Sequence, residues 1–142
     1  MVYFDTSFRA PLLLEEATSE AVERFIAGLP VGTLAVSHWT RVEFASLLAP
    51  EVRTGGLDHP TARDGCGVRG DRRGVLPRPA AQRAGLQLGQ AVSRASRQRA
   101  GDALHLAIAQ NNGAEAIYSF DKTLLRAGPA LGLPVKIGIG AG

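Results

Sequence analysis

A three-layer α/β fold, with a mainly parallel central sheet between helices, is the architecture this sequence predicts. Three observations carry that expectation. Short apolar strand-like runs alternate with helical stretches, the order that builds parallel sheets covered on both faces. Carboxylates fall where such runs give way to helices: Asp5 and Asp121 follow apolar runs directly, and Glu43 and Asp102 lie in first helical turns. Finally, 142 residues suit a single domain spanning 1–142, large enough to bury about two-thirds of its unfolded surface.

The elements follow in order. Residues 2–5 read as a short buried strand. Residues 7–14 continue as a helix, with Pro11 limiting where its first turn begins. Residues 18–28 form a clearer helix: Thr18 or Ser19 can cap it, and Glu20 and Glu23 favour its positive end. Val22, Phe25 and Ile26 make its apolar face, and Gly28 stops it before Pro30. Residues 33–37 make the second strand, and 40–48 a helix with Val42, Ala45 and Leu48 at core spacing. The almost wholly apolar helix 102–110 implies burial between layers. Residues 116–120 form a third strand, 122–127 a short helix and 134–137 a last strand, before a frayed Gly-rich tail.

No apolar run reaches the roughly 20 residues that span a bilayer, and no charged-then-apolar leader opens the sequence, so a cytoplasmic protein is expected. The single cysteine, Cys66, excludes an internal disulfide and a thiolate metal set. Net charge is +3, unevenly spread: residues 51–99 hold ten arginines against four acids. Basic surface beside an acidic pocket suits a nuclease, because phosphates need attraction and metals need carboxylates. GC-rich coding explains the same arginines without any function.

Ligands of an open α/β sheet bind beyond the carboxyl ends of its strands. Acids collected there form a pocket that is costly unless cations occupy it, which suggests a magnesium site. Each acid also has an ordinary structural role available. Asp5, Asp102 and Asp121 can cap helices, and Thr40 with Glu43 fits a capping box. Thr6 and Ser119 stand beside acids, where their hydroxyls either orient carboxylates or serve turns. His105 follows Asp102 by one helical turn, and a packed helix histidine is a better reading than a ligand to a hard cation. Trp39 reads as a partly buried aromatic, or as a surface on which a base stacks.

The opening VYFDTSF, the helix RVEFASLLA, the segment GDALHLAIA and the late SFDKTLL together resemble the PIN domain, most closely its VapC-like ribonuclease toxins. The likeness covers residues 1–57 and 99–135. It implies a PIN-like α/β/α fold and a magnesium-dependent endoribonuclease, the toxin of a toxin–antitoxin pair. Asp5, Glu43, Asp102 and Asp121 would be its catalytic set, Asp5 and Asp102 the direct metal ligands, and manganese a substitute for magnesium. The resemblance also implies an RNA substrate, a small antitoxin partner and a homodimer. A PIN-like domain that has lost catalysis and only binds RNA or an antitoxin is the alternative. A haloacid-dehalogenase phosphohydrolase also opens on a strand-end Asp but needs a second Asp two residues on, where Ser7 stands.

The likeness fails between about 60 and 98. Of residues 60–101, 26 are Gly, Ala, Pro or Arg, and no Phe, Trp or Tyr occurs between Phe44 and Tyr118. Such a composition supplies little core, so the stretch is expected to pack poorly. Residues 65–98 read like GC-rich DNA translated in a displaced frame, with a native basic insertion as the alternative.

Overall fold

The computed structural model describes residues 1–66 and 100–140. Their four strands are β1 (Val2–Phe4), β2 (Leu34–Ala35), β3 (Ala116–Tyr118) and β4 (Val135–Lys136). They form one parallel sheet in the order β2-β1-β3-β4. The chain leaves β1 to one side for β2 and returns on the other as β3. The carboxyl ends of β1 and β3 therefore flank the point where the strand order reverses, the usual ligand crevice of an open α/β sheet.

Alternation along β1 divides the core. Tyr3 packs with Ala103, Leu106, Ile117 and Leu124, beneath helices α5 (Ala100–Asn111) and α6 (Lys122–Ala130). Phe4 points to the opposite face, where Phe8, Val22 and Val36 pack with Phe25, Tyr118 and Phe120 around α2 (Ser19–Ala27). The three-layer parallel architecture expected from the sequence is thus present. A third cluster, Ala10, Phe44, Leu48 and Ala62, joins α3 (His38–Thr54) to α4 (His59–Cys66).

Several boundaries differ from expectation for local reasons. The helix anticipated over 7–14 is instead α1 (Thr6–Arg9) followed by a 3-10 turn (Ala10–Leu12), because Pro11 has no N–H to continue an α-helix. In α2, Thr18 occupies the cap position without a side-chain bond; the Ser19 hydroxyl accepts from the Glu16 amide and donates to the Leu14 carbonyl. Helix α3 begins two residues earlier than expected, since Ser37 rather than Thr40 caps it. The capping box is Ser37 with Thr40, which removes Glu43 from any capping role. The helix then runs through Pro50 to Gly55, whose positive φ of 79° suits a left-handed stop. Helix α4 lies where no regular element was expected; Asp58 starts it by accepting from the Thr61 amide at 2.6 Å, and Ala62 anchors it. Apart from its first two residues, the displaced-frame segment 65–98 lies outside the described residues.

Candidate active site

Asp5 terminates β1 and, with extended backbone, caps α1: its Oδ1 accepts the Phe8 amide at 2.9 Å. It is only 2% exposed. The Ser7 hydroxyl lies 2.9 Å from both carboxylate oxygens, and Ser119 Oγ donates to Oδ2 at 2.6 Å. Two amides from the chain leaving β3 secure these hydroxyls, Phe120 N–H donating to Ser7 Oγ and Asp121 N–H to Ser119 Oγ, each at 2.9 Å. Burial pushes the Asp5 carboxyl above its ordinary range. The charge of His105 and the bonds from Ser119, Phe8 and Ser7 oppose that rise without cancelling it.

Glu43 projects from α3, and its Oε2 collects two donors. Thr6 Oγ1 donates at 2.6 Å and His105 Nε2 at 2.6 Å. Because a carboxylate only accepts, Nε2 must carry the proton. The other ring nitrogen, Nδ1, is 2.7 Å from the Tyr3 hydroxyl, which also reaches Ser37 Oγ at 2.9 Å and Thr40 Oγ1 at 3.0 Å. Burial works against a charge on His105, yet the Tyr3 oxygen, Glu43 and Asp5 outweigh it and push its pKa up to about 10. The ring is therefore an imidazolium at neutral pH, donating from both nitrogens. For Glu43 burial is likewise the adverse influence, and the His105 bond and charge, then Thr6 and Trp39, override it and hold the carboxyl below its usual value. The Trp39 indole N–H favours that charge from close by, although its geometry falls short of a hydrogen bond.

Asp102 sits in the first turn of α5, partly buried. Asp121 caps α6, accepting from the amides of Thr123 at 2.6 Å and Leu124 at 3.3 Å. The capping roles weighed for Asp5 and Asp121 are therefore real, and both residues still reach the cleft.

Asp5, Glu43, Asp102 and Asp121 all line one open cleft of about 900 Å³, together with Thr6, Ser7 and His105. Ser119 stands behind it, buried against Asp5. Chemically the donors suit a small hard cation, which prefers carboxylate and water oxygens and needs only one or two protein carboxylates. Among the described residues, however, no three His, Cys, Asp or Glu side chains are grouped closely enough to enclose a metal. Glu43 faces His105, and Asp121 faces the start of its own helix. The arrangement fits an ion held by few carboxylates and several waters.

Sequence reasoning missed Tyr3 and Ser7 and left His105 as mere packing. One signal was available for His105: a lone ionisable residue inside the apolar run Leu104–Ala109 must find a polar partner once buried.

No helix among the described residues is long and apolar enough to cross a membrane. None of the curated proteins matches the chain. Among solved structures, VapC20 of Mycobacterium tuberculosis, titled a sarcin-ricin loop cleaving toxin, superposes with a TM-score of 0.67 at 23% identity, covering 90% of this chain and 95% of that one. The PIN domain family matches residues 2–128. With the parallel sheet, the strand-end acids and a family match across most of its length, the chain belongs to the PIN domain family.

Proposed function

We propose that this protein is a magnesium-dependent endoribonuclease, the cytoplasmic toxin of a toxin–antitoxin pair. The observation that carries the reading is the convergence of all four carboxylates on one cleft at the switch point of a PIN-domain sheet. Asp5 and Asp102 would hold the ion, with manganese able to replace magnesium. When bound, such an ion lowers the pKa of a coordinated water and stabilises charge on the scissile phosphate. The chain's own residues do the remaining work. Ser7 and Ser119 fix the rotamer of Asp5, Thr6 and His105 fix Glu43, and Asp121 is pinned by the helix it caps. No protein nucleophile is required.

An acidic cleft also suits inhibition by an antitoxin arginine, whose guanidinium forms strong bidentate bonds with carboxylates. We include such an antitoxin and a homodimer in the reading. The sarcin-ricin loop named for the mycobacterial relative is a suitable first substrate. The test is cleavage of RNA by purified protein with magnesium, with EDTA and with the variant Asp102→Asn. Magnesium-dependent cleavage that falls by orders of magnitude in the variant is expected; undiminished cleavage in EDTA would sink the metal mechanism. The tight pairing of Glu43 with His105 favours a second reading, a PIN domain that binds RNA or an antitoxin without cutting. RNA binding without cleavage in magnesium would select it.

A further inference from the structure

The two oxygens of Glu43 are unequally used. Oε2 accepts from Thr6 Oγ1 and His105 Nε2, each at 2.6 Å, whereas Oε1 accepts no hydrogen bond among the described residues, the nearby Trp39 indole N–H falling short of hydrogen-bond geometry. Oε1 is instead confined sterically, since a Cβ placed on Gly101 would lie 3.0 Å from it and 3.4 Å from the Trp39 ring. A side chain at position 101 would make that oxygen give way by a few tenths of an ångström. The histidine is in turn immobilised, being 3% exposed and bonded through Nδ1 to Tyr3, whose hydroxyl rests on Ser37 and Thr40 at the start of α3. The connections run from β1 to α5, to α3 and back to the chain after β1.

We propose that His105 is a positioning residue for Glu43: braced by Tyr3, it locks one carboxylate oxygen so that the other, with room left by Gly101, is presented to the cleft. This rests on the ribonuclease reading and assigns a role to residues outside the four acids. In this role His105 acts through Glu43 rather than on the substrate itself. Loss of either the lock or the space should therefore slow turnover without weakening substrate binding.

The experiment measures kcat and KM on RNA, with thermal unfolding, for the wild type, Asp102→Asn, His105→Leu, His105→Gln, Tyr3→Phe and Gly101→Ala. His105→Leu should lower kcat roughly 10–100-fold, the range found when partners of site carboxylates are removed, with KM unchanged. His105→Gln should recover part of that loss, because its amide can still donate to Oε2. Tyr3→Phe should act in the same direction but less. Gly101→Ala should lower kcat while thermal stability holds or rises, since alanine favours a helix over glycine. The proposal is overturned if the wild type cleaves, Asp102→Asn does not, and both His105→Leu and Gly101→Ala retain wild-type kcat. It is also overturned if the two His105 variants lose activity equally and only in step with lost stability. A wild type that does not cleave overturns this inference and the ribonuclease reading together.

Discussion

Asp5 and Glu43 line the same cleft and are both gripped by hydroxyl groups, but their electrical surroundings differ. Glu43 is bonded directly to an imidazolium and its carboxyl is held low. Asp5 is more deeply buried, is bonded only to neutral hydroxyls and an amide, and its carboxyl is driven up. At Asp5 the bonds from neutral donors do not repay the loss of water around its charge, whereas at the less buried Glu43 an opposite charge in contact does. Glu43 thus has an opposite charge in contact, whereas the charge of Asp5 is left disfavoured by burial.

The sharpest way to break this contrast is to remove the Asp5 charge while keeping its shape. Asp5→Asn should reduce RNA cleavage by orders of magnitude yet leave metal-free stability unchanged or increased. A raised carboxyl makes the native state lose stability as pH climbs above the ordinary 3.8, so the variant's advantage in melting temperature should open as pH rises past that value. Magnesium should raise the melting temperature of the wild type by mass action and that of the variant much less. A variant that melts well below the wild type at neutral pH would show that Asp5 carries no unmet charge.

The Glu43 side can be sharpened by titration. His105, raised from 6.5 to about 10, contributes stability that is complete below pH 6.5 and lost as pH rises toward 10. Glu43, held low, contributes stability that is present above its ordinary 4.5 and lost as pH falls through its native value. Unfolding measured across pH should therefore decline between about 6.5 and 10 in the wild type and flatten in His105→Gln. An unchanged slope would mean that the ring is neutral.

The smallest effect belongs to Asp121, whose capping bonds make it a third kind of carboxylate. Asp121→Ala should cost about 1 kcal/mol of stability by urea denaturation, and Asp121→Asn much less, as asparagine also caps. Equal losses would argue that charge rather than capping holds this corner.

Much of this cleft was legible in the linear chain because strand ends and first helical turns leave local signatures. Apolar runs broken by Asp5 and Asp121 mark the sheet's carboxyl edge without any tertiary information. What decides the character of each acid was not legible, because it comes from partners far away: Tyr3 and His105 are 102 residues apart, and Thr6 and Glu43 are 37. Helix lengths misled where a general rule was overridden. Pro50 signals a stop, yet α3 passes through it. Helix α4 is sparse in apolar residues and is set by the Asp58 bond and the packing of Ala62, a combination that composition hides.

Ser7 has a consequence for how the cleft opens. Its one hydroxyl binds Asp5 after β1 and the Phe120 amide after β3, and Ser119 Oγ adds a second link between the two strand ends. A fluctuation that peels away the chain after β3 must break the Ser7–Phe120 and Asp5–Ser119 bonds together. The two banks of the cleft then belong to one cooperative opening unit rather than to two loops that fray independently.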